Sequence, residues 1–145
     1  MDIESILAGK GREVRTIRPE ATIAKAVRRM RDEAIGALVV SDDGTQIRGI
    51  ISDRGIMHAI ADHGVEVMNE RIGSVMTKEV FTCLSEDRVS AIMAAMTERR
   101  IRHIPVVDRH GRLCGIVSIG DVVKHRLDEI QREADAMREY ISGAR

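Results

Sequence analysis

The chain is written twice, and this constrains its fold more than any other feature. Displacing the sequence by 66 residues superposes Val14, Thr16 and Glu20 on Val80, Thr82 and Glu86. The same shift brings Met30, Ile35, Val40 and Asp42 onto Met96, Ile101, Val106 and Asp108, and Gly49, Ile50 and Ser52 onto Gly115, Ile116 and Ser118. Matches that run through a whole supersecondary unit mark a structural duplication rather than chance identity. With a three-residue slip, Ile3-Glu-Ser-Ile-Leu7 also echoes Ile72-Gly-Ser-Val-Met76, so a short helical turn is expected ahead of each copy.

Both copies read alike. A short strand (Val14–Ile17, then Val80–Leu84) leads into a helix. Ile23, Ala26, Val27 and Met30 fall at i, i+3, i+4 and i+7 behind Thr22 as N-cap, and Val89, Ile92, Met93 and Met96 repeat that spacing. Two strands follow, Ala37–Val40 with Ile47–Ser52 and Ile104–Val107 with Leu113–Ser118, joined by turns containing Asp42-Asp-Gly44 and Asp108-Arg-His-Gly111. A helix closes each unit, Asp53–His63 in the first and Ile119 to Ser142 in the second, with polar Gly64–Arg71 as linker. Three strands and two helices cannot bury both faces of a sheet. The expectation is therefore a mixed α/β fold of two pseudo-symmetric β-α-β-β-α repeats packed sheet to sheet, plus a C-terminal helix. Residues 1–64 form the first repeat, 65–127 the second and 128–145 the helix.

Composition narrows the function. Lys plus Arg equals Asp plus Glu at 23 each, so the basic excess that displaces counterions from nucleic acid is missing. Two aromatics, Phe81 and Tyr140, make no stacking platform for single strands. The longest apolar runs, Ile35–Val40 and Ala91–Met96, fall far short of the ~20 residues of a membrane helix. The first residues lack the basic start and apolar core of a signal peptide, and Cys83 and Cys114 stand alone, so a cytoplasmic protein is expected. No metal is expected, because His58 and His63, five apart, fall on different helix faces. Cys83 and His103 lack an orienting acid, and Gly9-Lys-Gly11 lacks the preceding strand of a P-loop, so no enzyme is expected. Ile56, Ile60, Val122 and the stripe Leu127, Ile130, Ala134 and Met137 are expected to be exposed and to hold a homodimer together.

The doubled strand–helix–strand–strand–helix order, closed by Gly49-Ile-Ile-Ser52 and Gly115-Ile-Val-Ser-Ile-Gly-Asp121, resembles a tandem pair of cystathionine β-synthase (CBS) domains, the Bateman module. Arg100-Ile-Arg-His-Ile-Pro-Val-Val-Asp108 and the Val75-Met-Thr77 turn are similar to the same family, and the ending Arg138-Glu-Tyr-Ile-Ser-Gly143 resembles small stand-alone bacterial members. The resemblance implies a regulatory module that binds an adenosine-containing ligand between the repeats: AMP, ADP, ATP, NAD(H) or S-adenosylmethionine. It also implies a homodimer of pairs that acts on an effector protein whose identity the residues do not give.

Physical chemistry supplies a separate reason for such a site. Ser118 precedes a helix whose first N–H groups lack internal partners and attract a phosphate oxygen. Asp121, one turn on beyond Gly120, offers a carboxylate that accepts from both hydroxyls of a ribose. The resemblance aims Arg102 and His103 at the phosphates and borders the base with Val80, Thr82 and Pro105. Ser118-Ile-Gly-Asp121 is equally the spacing of a capping box, which satisfies a helix end with no ligand, so a ligand-free dimerisation adaptor is the alternative. In the first copy Gly55 stands where Asp121 stands in the second, leaving Ser52 and Arg54 for a second site that is altered or lost.

Overall fold

The computed structural model describes residues 1–143; residues 144 and 145, the end of the expected C-terminal segment, lie outside it. In the first copy β1 (Thr16–Ile17), β2 (Ala37–Val40) and β3 (Gly49–Ser52) form one sheet in that order. β1 runs parallel to β2 and β2 antiparallel to β3, with Val39 opposite both Thr16 and Ile50. α2 (Ile23–Glu33) makes the crossover, and α3 (Asp53–His63) follows β3 without a gap. In the second copy β4 (His103–Val107) pairs antiparallel with β5 (Leu113–Ser118), between α4 (Val89–Arg99) and α5 (Ile119–Gly143). The strand expected at Val80–Leu84 is reduced to one parallel bridge: Cys83 N–H donates to the Pro105 carbonyl (3.0 Å), and Val107 N–H donates to that of Cys83 (2.9 Å).

Local chemistry explains the helix ends. Thr22 Oγ accepts from Lys25 N–H at 3.2 Å, as its N-cap position requires. α2 stops at Ala34 (φ 54°) and α4 at Arg100 (φ 55°), equivalent positions in the two copies. In both, a left-handed residue turns the chain into the next strand, a conformation that costs a side-chain-bearing residue about 1–2 kcal/mol.

Packing crosses the sequence order of the copies. α1 (Ile3–Lys10) places Ile3, Ile6 and Leu7 in the core of the second copy, beside Val89, Ile104 and Val117. Ile72, in a 3-10 turn at Ile72–Ser74, fills the core of the first copy beside Ile23, Leu38 and Ile51. The backbone repeats the exchange: Ile23 N–H donates to the Glu70 carbonyl (3.0 Å) and Val89 N–H to that of Met1 (3.1 Å). It also explains two matched glycines. A Cβ on Gly115 would lie 2.8 Å from Leu7 Cδ2, and one on Gly49 would lie 2.6 Å from Met76 Sδ and 2.8 Å from the Thr77 carbonyl. Leu7 and Met76 are the residues the three-residue slip equates.

The remaining sheet faces meet between the copies. Ala37, Val39 and Pro105 are buried there, Leu113 N–H donates to the Thr45 carbonyl (2.8 Å), and Gly36 lies against the His103 ring. Two expectations are corrected. Gly64–Arg71 is not a bare linker: Val65–Asn69 forms a 3-10 turn that buries Val67. Ile56 and Val122 are buried rather than exposed, because the first turns of α3 and α5 press inward on their own cores; the neighbouring Met57 and Val123 face out.

Candidate functional site

The two strand-to-helix junctions start alike and diverge. Ser52 Oγ accepts from Gly55 N–H (3.0 Å), which caps α3, but Gly55 has no side chain to answer. At the other junction Asp121 N–H donates to Ser118 Oγ (3.2 Å) and Ser118 N–H donates to Asp121 Oδ2 (2.8 Å), a complete reciprocal cap. The same Oδ2 takes a third group. The Lys10 ammonium, at the end of α1, donates to it at 2.6 Å and to the Ile116 carbonyl at 2.9 Å. Burial alone would raise the Asp121 carboxyl; the hydrogen bonds from Lys10 and Ser118 outweigh it and hold the pKa below the usual carboxylate value.

Two clefts, related by the pseudo-twofold, open between the copies. The larger, about 410 Å³, brings Ser118, Asp121 and Lys10 together with Arg15, Gly36 and His103. The other, about 260 Å³, gathers Ser52, Arg54, Val80, Phe81, Arg100 and Arg102, and His103 reaches it too. His103 thus stands where the clefts meet. A Cβ on Gly36 would be 3.1 Å from its ring, so the glycine leaves the imidazole its place. Burial, reinforced by the Arg102 guanidinium, pushes the His103 pKa down against the pull of Asp53 and Asp121.

The clefts regroup the residues singled out in the sequence. Val80 and Arg102, expected beside Ser118 and Asp121, lie with Ser52 and Arg54 instead. The copies face each other head to tail, so the segment before a central strand in one copy meets the helix start of the other. Arg102 Nη2 pairs with Asp53 Oδ1 at 2.7 Å. Thr82 and Gly120 line neither cleft, and Pro105 is buried in β4 with its carbonyl held by Cys83. Lys10, Arg15 and Gly36 are site residues that the sequence reading passed over. The repeat itself carried one signal: its 66-residue shift maps Arg102 and His103 onto Gly36 and Ala37, which line the larger cleft.

The larger cleft combines charged, polar and apolar groups. It offers a helix start, the Asp121 and Glu13 carboxylates, the Lys10 and Arg15 cations and an apolar wall at 34–37. Cys83 is a core residue whose thiol burial pushes up to about 12, far from a nucleophile at neutral pH. Among the described residues, no group of three or more His, Cys, Asp or Glu side chains is arranged to hold a metal ion. None of their helices is long and apolar enough to cross a membrane.

Comparison with known proteins agrees with the duplication. The CBS domain family model matches residues 10–62 and again 72–128. The chain is 38% identical over 126 residues to the mitochondrial CBS domain-containing protein CBSX3 of Arabidopsis thaliana, covering 84% of this chain and 61% of that relative's length. A CBS-domain containing protein from Agrobacterium tumefaciens superposes with a TM-score of 0.83 at 37% identity, over 87% of this chain and 99% of its own. A CBS domain pair solved with 5′-methylthioadenosine and S-adenosyl-L-methionine shares the fold at 24% identity, with a TM-score of 0.77 over 89% of this chain and 98% of its own. Two family matches, one on each copy of the repeat, place this chain in the CBS domain family as a tandem pair.

Proposed function

We propose that this chain is a regulatory module that binds an adenosine-containing ligand in the larger cleft and signals through a change of shape or assembly. The observation that carries the reading is the convergence at one helix start of Ser118, the Asp121 carboxylate and the Lys10 ammonium, in a cleft that Arg15 also lines. The Asp121 carboxylate is the acceptor for the ribose diol, and the α5 N-terminus with Lys10 receives the phosphate. A distant structural neighbour solved with two adenosine compounds supports the ligand class. AMP, ADP, ATP and NAD(H) all carry the required diol and phosphate. The second cleft has Gly55 where the first has Asp121, so its helix start carries no carboxylate at that position, and the one carboxylate that lines it, Glu79, comes from another segment. A cytoplasmic homodimer acting on an effector protein completes the reading.

One observation favours the adaptor alternative: Asp121 is already satisfied by Ser118 and Lys10, so the helix end needs no ligand. Melting curves with AMP, ATP, NADH and S-adenosylmethionine separate the two. A ligand at 100 times its dissociation constant stabilises by about 2.7 kcal/mol, or about 5–10 °C at this chain length. Asp121→Ala removes that shift and Gly55→Ala keeps it. 2′-deoxy-AMP, short of one hydroxyl donor, binds more weakly than AMP by about 1.5–3 kcal/mol. No shift with any of the four ligands gives the adaptor reading its place.

A further inference from the structure

Lys10 occupies the acceptor that a ribose would use. Its ammonium lies 2.6 Å from Asp121 Oδ2, anchored a second time on the Ile116 carbonyl at 2.9 Å. Both partners are mostly shielded, with side-chain exposures of 31% and 23%. α1 fixes the stem, because Ile3, Ile6 and Leu7 on the same helix are locked into the core of the second copy. The helix thereby holds the Lys10 backbone at the edge of the cleft.

We propose that Lys10 is the specificity-determining residue of this cleft, admitting adenosine ligands that carry a phosphate and disfavouring those that do not. The proposal rests on the nucleotide reading above. A diol that takes up Asp121 must displace the ammonium. An uncharged adenosine then leaves a half-buried cation without its carboxylate, and the lost pair counts against binding. A phosphate accepts the displaced ammonium, so the ion pair is exchanged rather than lost. The remaining charges around the cleft do not alter this balance: Glu13, the other carboxylate that lines it, is taken up by Arg15 (2.8 Å), Arg15 also reaches Glu33 (3.4 Å), and burial keeps His103 biased towards its neutral form. The Gly9-Lys-Gly11 stretch, which makes no P-loop, thus has its use in the lysine.

Calorimetric titration of the full chain with AMP and with adenosine tests this, using wild type, Lys10→Met and Lys10→Arg. Lys10→Met keeps the length and apolar stem of the side chain at an exposed helix end. It weakens AMP by about tenfold and tightens adenosine by about threefold, moving the two ligands in opposite directions. Lys10→Arg preserves the preference for AMP. A structural role for Lys10 moves both affinities the same way, and either that result or no change in the AMP-to-adenosine ratio overturns the proposal. Absence of binding by both ligands to all three proteins removes the nucleotide reading itself, and this inference with it.

Discussion

His103 stands at the junction of both clefts and reports on both. Its ring is held mostly out of water against Gly36, and burial with the Arg102 charge pushes its pKa below the ordinary value of about 6.5. The unfolded chain therefore takes up a proton near pH 6.5 while the folded chain does not. Stability attributable to this group is full above that pH, falls as the pH drops through it, and levels off below the lowered folded pKa. Asp121, whose folded pKa is also depressed, acts in the same sense at more acid pH, because its contribution is lost as the pH falls through that folded value. The two windows are therefore separable. Urea midpoints for wild type should decline between pH 7 and 5.5, and His103→Gln should flatten that slope. Equal slopes in the two proteins would remove His103 as the cause. Only the family resemblance pointed His103 towards a cleft. Its neighbours were not legible: Lys10 meets Asp121 across 111 residues of sequence, and no periodicity encodes such a contact.

Among the elements, those with a strong period were readable. α2 begins behind Thr22 and buries Ile23, Ala26 and Met30 as their spacing requires. β5 and α3 have the expected bounds, Leu113–Ser118 and Asp53–His63. Elements shorter than one period were not readable. β1 keeps two residues of four and its counterpart is a single bridge, since alternation has no meaning over so short a run. The segment after α3 looked polar because a 3-10 turn needs only one inward residue, here Val67. Two residues apart in that turn, Val65 is 70% exposed and Val67 only 5%. Val67→Ala should therefore cost about 1–3 kcal/mol, from two lost methyl groups and the cavity they leave. Val65→Ala should stay within about 0.5 kcal/mol of wild type. Chemical denaturation of both variants checks this, and equal midpoints would mean that burial of Val67 contributes nothing to stability.

At the scale of the whole molecule, the duplication foretold two packed copies, but not that each preceding helical turn would dock on the other copy in sequence order. That exchange joins α1 to the second core. It leaves α5, about 37 Å long, with Val122 as its single buried residue among those described. Val123, Leu127, Ile130, Met137 and Ile141 stay exposed, separated by three, four or seven residues along one face. Such spacing is that of the apolar seam in helix–helix pairing. On the first copy, Met57 borders an apolar groove of about 470 Å³ formed with Met30, Ile35, Ile60 and Met68. Equal numbers of acidic and basic side chains leave little repulsion between chains. These surfaces predict a particle of twice the 16.1 kDa chain mass by light scattering at micromolar concentration. Leu127→Asp combined with Ile130→Asp should return it to a single chain mass with an unchanged far-ultraviolet spectrum, because both side chains lie outside either core. A wild-type chain that scatters as a monomer at high micromolar concentration would sink the prediction. A double variant that keeps the doubled mass would move the interface away from α5 and onto the α3 groove.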